Sequence, residues 1–190
     1  LNGNTYWGYN FGENLPSTGP YFSNNSSAVA GPGLAKSPGQ SQWIITSVES
    51  MFLQAEAKQR GYIAGSAQAA FEDAIRESYS YLGVTNAMAE ANAYIASGNQ
   101  YVNWAGAANK IQLIITQKYF STVGLTPFQA WADFRRTGFP NNIPPTMAAN
   151  AGPNIPVRWQ YPQAEYNVNP ANVAAEGTIN VFTGTVFWDL

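Results

Sequence analysis

The pattern of apolar residues in the middle of the chain, from Trp43 to Arg136, has the spacing of amphipathic helices. Proline, which breaks helices, is absent from Gly39 to Thr126. The pattern predicts five helices, with approximate bounds Trp43–Gly61, Ser66–Leu82, Asn86–Ala96, Asn103–Val123 and Thr126–Arg136. We therefore predict a helical scaffold over this block.

Residues at the helix boundaries support these bounds. Ser66 is a suitable N-cap for the second helix, and Thr126 followed by Pro127 fits the start of the fifth. Gly61 and Gly83 suit the positions that follow the first and second helices, because glycine adopts the left-handed conformation that ends many helices.

Small and large residues alternate in the first two helices. Ala55, Ala67, Phe71 and Ala74 match the spacing of a tetratricopeptide-type hairpin, in which alanines let two helices approach and the aromatic ring fills the groove. The alternative is an ordinary helical hairpin with small residues inside. Both interpretations place these four residues in the core.

The two flanks differ from this block. Residues 1–42 combine glycine, proline and asparagine with many aromatic rings and carry two charges, Glu13 and Lys36, so we predict irregular loop. Residues 138–190 are rich in proline and predict extended loop with one or two short helices, including one over Ala171–Glu176, and a strand over Asn180–Trp188. We thus expect one domain or domain fragment with three regions: loop 1–42, helical-hairpin scaffold 43–137 and loop-rich carboxy-terminal region 138–190.

Charge is sparse and excludes one class of partner. Charged residues make up 11% of the chain and the net charge is −2, so the basic stripe that binds nucleic acid is missing. Seven acidic and seven basic residues lie between Glu49 and Arg136, which predicts solvated helix faces. No apolar run approaches the length of a membrane span.

The chain has no cysteine and no histidine, which excludes disulfides, thiolate or imidazole metal sites and Ser-His-Asp catalysis. Paired carboxylates are the remaining acid–base groups, and a glycosidase needs two of them about 5 to 10 Å apart. The candidates are Glu72, Asp73, Glu77, Asp133, Glu165 and Asp189. No spacing marks a pair among them, so we predict no catalytic residue, no metal and no cofactor.

Two segments carry distinctive chemistry. In Trp131–Pro140, Arg135 and Arg136 either form a fork for a carboxylate or phosphate, or pair with an acid such as Asp133 and with helix carbonyls; we favour pairing. In Pro156–Pro170, Trp159 and two tyrosines stand among Asn and Gln side chains. Such rings and amides suit a sugar, and they suit equally the anchoring of a long loop onto helices.

Four segments together resemble the SusD/RagB-like outer-membrane lipoproteins of Bacteroidetes. They are Ser50–Gly61, Ile114–Lys118, Trp131–Pro140 and Arg158–Asn169. Their order and spacing are similar to the later half of that family, and the resemblance covers about residues 43–175.

The resemblance implies a mainly α fold with tetratricopeptide-like hairpins, long aromatic-rich loops and little strand. It also implies a non-catalytic protein on the cell-surface side of the outer membrane, attached through a lipid anchor upstream of this chain. Such a protein captures an oligosaccharide, or in some members a peptide, for a SusC-like TonB-dependent outer-membrane transporter. We expect ligand contacts in the aromatic loops, at Trp7, Tyr9, Tyr21 and Trp159.

Two other functions are compatible with the residues. One is a helical-repeat adaptor that binds a peptide or a protein partner in a concave groove. The other is a glycosidase that works with carboxylates alone.

Overall fold

A computed structural model describes residues 8–14, 27, 33–35, 37–149, 152 and 154–186. Over these residues the chain is mainly α, with seven helices and no strand. The helices are α1 (Ser47–Gln59), α2 (Ala67–Tyr81), α3 (Ala87–Ala96), α4 (Lys110–Thr122), α5 (Pro127–Thr137), α6 (Gln163–Val168) and α7 (Pro170–Ala175). None of these helices has the length and apolar character needed to cross a membrane.

The chain forms two compact units. One comprises Leu1–Ser27 together with Ile143–Leu190 and contains α6 and α7. The other comprises Ala28–Asn142 and contains α1 to α5. We call them the loop unit and the helical unit.

The hairpin of α1 and α2 forms the centre of the helical unit. Phe52 of α1 meets Phe71 of α2 edge-on, with ring centroids 6.3 Å apart, and Ala55 and Ala74 are fully buried. These small side chains let the helices approach closely, as the alanine spacing predicts. The prediction was wrong for Ala67, which is only partly buried at the first position of α2, where the helix has not yet reached the core; Ala70 is buried instead.

Helix α4 packs against α1 and α5, and α3 packs against α2. Leu113 and Ile114 of α4 join the core of the α1–α2 hairpin. Tyr79 of α2 and Tyr94 of α3 pack against the same core, and their rings stack with centroids 6.1 Å apart. Helices α1 to α4 therefore share one apolar interior.

Side-chain caps determine where several helices begin. Thr46 accepts a hydrogen bond from the Glu49 backbone N–H at 3.1 Å, so α1 begins at Ser47 and not near Trp43. Ser66 caps α2 in the same way, as predicted. Thr126 occupies the N-cap position and Pro127 begins α5, as predicted, but the Thr126 side chain makes no capping hydrogen bond.

Helix α4 begins seven residues later than predicted, at Lys110 instead of Asn103. The Asn103 side chain accepts a hydrogen bond from the Gly106 backbone N–H at 2.9 Å, and this stabilises a turn. Asn109 then caps the helix by accepting from the Gln112 N–H at 3.1 Å. Local asparagine bonds thus replace the first helical turns.

The carboxy-terminal region contains the expected short helices, α6 and α7. The predicted strand over Asn180–Trp188 is wrong for the residues described, 180–186. Asn180 accepts hydrogen bonds from Phe182 N–H through its side chain at 2.9 Å and from Gly184 N–H through its carbonyl at 2.7 Å, and both bonds close turns. Trp188 lies outside the described residues.

Candidate functional site

The four residues predicted to contact a ligand divide into two pairs. Trp7 and Tyr21 lie outside the described residues. Tyr9 and Trp159 both belong to the loop unit, where Tyr9 is half-buried and Trp159 is 66% exposed.

The loop that carries Trp159 is anchored at its start. The backbone N–H groups of Val157 and Arg158 both donate to the carbonyl of Val181, at 2.8 and 3.3 Å. Helix α6 begins soon afterwards, at Gln163. The exposed indole therefore lies on a short segment whose backbone is held by these hydrogen bonds on one side and by α6 on the other.

The loop that carries Tyr9 is held by its own turn and by a hydrogen bond to a second loop segment, which contains Met147. Glu13 accepts hydrogen bonds from the backbone and side-chain nitrogens of Asn10, at 3.0 and 3.1 Å. The carbonyl of Phe11 accepts from the Met147 N–H at 2.7 Å. Phe11 itself is 77% exposed, and sequence reasoning did not single it out.

In the helical unit, charged side chains are buried between α1, α4 and α5. Lys118 is 2% exposed, and its ammonium lies 2.9 Å from Asp133 and 3.7 Å from Glu49, both also buried. The expectation that all charges in this block occupy solvated faces was therefore wrong. The number and spacing of charged residues along a helix do not show which of them face another helix.

Arg136 extends this charge cluster. It donates to Asp133 at 2.8 Å and to both carboxylate oxygens of Glu56, while the Arg60 Nε donates to Glu56 at 2.7 Å. This confirms that Arg136 pairs with acids of its own chain. Arg135 is different: its guanidinium lies over the ring of Trp131, 5.7 Å from the centroid.

The ion pairs alter the titration of the cluster. Burial alone raises the pKa of Glu56, but the hydrogen bonds from Arg136 and Arg60 outweigh it and hold that pKa below its ordinary value. The hydrogen bonds that Arg136 makes to Glu56 are the chief reason that the pKa of Arg136 is raised above its ordinary value. Both groups thus remain charged across the physiological range.

A cleft of about 610 Å³ opens beside this cluster, between α1 and α5. Leu53 and Tyr62 supply apolar surface, and the charges at its wall are balanced, because three acids (Glu49, Glu56, Asp133) face three bases (Arg60, Lys118, Arg136). This wall has no excess charge with which to attract an ion.

A second cleft, of about 310 Å³, lies at the beginning of α4 and has a different chemistry. Its lining includes one aromatic ring and five amide side chains: Tyr101, Gln100, Asn109, Gln112, Asn141 and Asn142. Sequence reasoning missed it because residues 103–109 were assigned to a helix and because Gln112 and Asn141 are far apart in the chain. We call it the amide cleft.

The carboxylates considered for catalysis make contacts of their own. Glu72 and Asp73 form ion pairs with Arg76 at 3.2 and 2.8 Å on the surface of α2. Glu165 accepts a hydrogen bond from the Asn169 side chain at 2.8 Å, and Glu77 accepts one from the Ser47 hydroxyl at 2.6 Å. Asp189 is outside the described residues. Across the described part of the chain, no group of three or more acidic, His or Cys side chains is placed to hold a metal ion.

Comparison with known proteins finds one family model and several solved structures that resemble this chain. A family model described as "Starch-binding associating with outer membrane" (SusD-like) matches residues 2–162. A SusD homolog from Bacteroides fragilis shares 26% identity, with a TM-score of 0.58 over 76% of this chain and 34% of its own. A SusD-like protein from Bacteroidetes shares 28% identity, with a TM-score of 0.61 over 77% of this chain and 30% of its own.

A structure named as a chitin-binding protein shares 28% identity, with a TM-score of 0.59 over 76% of this chain and 33% of its own. The chain therefore spans about a third of the length of these solved structures. No curated protein sequence matches it.

Proposed function

The chain belongs to the SusD-like family, and from that membership we propose that it is part of a non-catalytic nutrient-binding protein of the outer membrane. We further propose that it captures an oligosaccharide for uptake through a SusC-like TonB-dependent transporter. The family match over residues 2–162 carries this proposal. Localisation on the cell-surface side, through a lipid anchor upstream of this chain, belongs to the same proposal.

A neutral glycan is the ligand class that the relatives favour. The family description names starch, and one structural relative is named for chitin. Both are uncharged polymers of hexose-type units that present hydroxyl groups and apolar ring faces. The chain's low charge and its wealth of aromatic and amide side chains suit such a ligand.

Trp159 is the described residue best placed to contact the glycan. Its indole is 66% exposed on a loop whose backbone is anchored to Val181. A flat apolar ring can cover the apolar face of a pyranose, and an anchored loop loses little conformational freedom on binding. Tyr9 is proposed as a further contact in the loop unit, and Trp7 and Tyr21 remain proposed contacts from the sequence.

The environment of the carboxylates supports binding without turnover. Glu72 and Asp73 pair with Arg76, and Asp133 is buried between Lys118 and Arg136. A general acid or base must reach the glycosidic oxygen or a water beside it, whereas these carboxylates are held by hydrogen bonds and ion pairs to cations of the chain itself. We therefore propose no catalytic role for these acids.

Calorimetric titration with maltoheptaose and chitohexaose tests the proposal. We expect binding of at least one of them, and a loss of about tenfold or more in affinity for Trp159→Ala, since 1.4 kcal/mol of lost contact corresponds to tenfold. Tyr62→Ala is the matched control, because Tyr62 is 74% exposed in the helical unit. Unchanged affinity in Trp159→Ala excludes this ring, and binding of neither glycan refutes glycan capture by the chain.

Affinity purification of the native protein from its own outer membrane tests the proposed partner. Co-purification of a TonB-dependent barrel supports the uptake complex. Recovery of a soluble protein alone contradicts it and favours the helical-repeat adaptor.

A further inference from the structure

We propose that the amide cleft at the beginning of α4 is a subsite for one neutral sugar unit of the captured glycan. The inference rests on the proposed function for its ligand class. It names a site in the helical unit that neither the sequence motifs nor the exposed indole at Trp159 indicate.

The lining of the amide cleft is uncharged. The ammonium of Lys110, at the first position of α4, donates to the backbone carbonyls of Trp104 and Ala107, at 2.5 and 2.6 Å, and does not line the cleft. A cleft without formal charge offers little to a phosphate, a carboxylate or a metal ion. Amides both donate and accept hydrogen bonds, as sugar hydroxyls do, so their chemistry matches a neutral sugar.

Three of the amide side chains use only part of their hydrogen-bonding capacity within the protein. The Gln112 Nε2 donates to the Asn141 Oδ1 at 3.3 Å, and the Asn109 Oδ1 accepts from the Gln112 backbone N–H at 3.1 Å. These bonds orient the three side chains. Among the described residues, no hydrogen bond uses the Nδ2 groups of Asn109 and Asn141 or the Oε1 of Gln112. Two NH2 groups and one carbonyl oxygen are thus available to a ligand.

One wall of the amide cleft is formed by Tyr101, which several contacts hold in place. Tyr101 donates its backbone N–H to the Asn99 side chain at 2.9 Å, and its carbonyl accepts from Gln117 at 2.9 Å. Its ring meets Phe120 edge-on, at a centroid distance of 5.4 Å. Because the backbone and the ring are both held, binding requires little ordering of this wall.

The size of the cleft limits what enters it. Its volume of about 310 Å³ lies at the small end of the range of roughly 300–1,000 Å³ for small-molecule pockets. The buried side chain of Leu113 supplies apolar surface in the lining. A single sugar ring with its hydroxyls directed to the amides fits this combination better than a long chain.

The test uses the double variant Gln112→Ala/Asn141→Ala, with Gln68→Ala as the matched control. Gln68 is an exposed helical glutamine whose side chain, among the residues that the structure describes, bonds Glu72 alone, at 2.9 Å. Because neither Gln112 nor Asn141 is fully buried, we expect the double variant to fold, and circular dichroism checks this. Asn141→Trp, which fills the cleft from its rim, serves as a second variant.

Maltoheptaose and chitohexaose are titrated against each protein by calorimetry, and the side-chain amide signals of Asn109 and Asn141 are followed by NMR. We expect about tenfold weaker binding for both cleft variants, unchanged binding for Gln68→Ala, and shifts of both amide signals in the wild type. If the wild type binds and the cleft variants bind equally well, the subsite is refuted while the proposed function stands. If the wild type binds neither glycan, both are refuted.

Discussion

The guanidinium of Arg136 binds the carboxylate of Glu56 through two parallel hydrogen bonds, from Nη1 to Oε1 at 2.5 Å and from Nη2 to Oε2 at 2.8 Å. The two residues are 80 positions apart, on α5 and α1. Through Asp133 the same arginine is connected to Lys118 of α4. The bidentate pair therefore ties α5 to α1, and the ion pair between Asp133 and Lys118 adds α4 to the same network.

Replacing Arg136 by lysine tests the value of this fork. Lysine retains the charge but not the planar pair of donors, so we expect Arg136→Lys to lower the free energy of unfolding by about 1–2 kcal/mol, measured by urea denaturation. The partial exposure of the Arg136 side chain limits the effect. Arg76→Lys is the control, since Arg76 bonds Glu72 and Asp73 of its own helix and Asn92 of α3 through one hydrogen bond each and forms no bidentate pair. We expect a loss below about 1 kcal/mol. Equal losses in the two variants would refute a special role for the bidentate pair.

Acid sensitivity follows from the lowered pKa of Glu56. A carboxyl group whose pKa is lower in the folded state stabilises the fold above its unfolded pKa, and this contribution is lost as the pH falls through the folded value. We expect the stability difference between wild type and Glu56→Gln to be full near pH 7 and to shrink below the ordinary Glu pKa of 4.5. Urea midpoints measured from pH 7 to pH 3 check this. Glu176→Gln, at an exposed position, is the control, and a difference that stays constant with pH contradicts the prediction.

Much of the helical unit was predictable because its determinants are local. Apolar spacing located α1 to α5. Ser66 marked the start of α2, where its side chain accepts a backbone hydrogen bond, and Gly83 marked the end, where it adopts a positive φ. The start of α4 was not predictable from spacing, because the side-chain bonds of Asn103 and Asn109 compete with the helix.

The charge cluster and the amide cleft were not predictable because their members meet only through tertiary packing. Asp133 and Arg136 are three residues apart, and that pair was anticipated. Glu56 and Lys118 carry no local sign that they are buried with it. Likewise, Gln112 and Asn141 are hydrogen-bonded although they are 29 residues apart in the sequence. Trp159 could be singled out from the sequence because it is an aromatic residue within a polar segment.

The close approach of α1 and α2 predicts a strong size limit at Ala74. This residue is fully buried, and added carbon atoms have no space without displacing a helix. We expect Ala74→Leu to cost about 1–3 kcal/mol, or more, in unfolding free energy, measured by urea denaturation. Ala69→Leu, at an exposed position of the same helix, is the control and is expected to change stability by less than about 0.5 kcal/mol. Tolerance of leucine at Ala74 would show that the hairpin is not closely packed there.

Lys118 provides the most severe test of the charge cluster. It is 2% exposed between Asp133 and Glu49, so Lys118→Met leaves two buried carboxylates without this cation while preserving most of the side-chain volume. Removing one partner of a buried ion pair costs about 3–5 kcal/mol, and we expect a loss of that size at pH 7, measured by urea denaturation. Lys58→Met is the control, because Lys58 makes no ion pair with any other described residue. A variant as stable as the wild type at pH 7 would mean that the ion pairs of Lys118 do not contribute to holding α4 against α1 and α5.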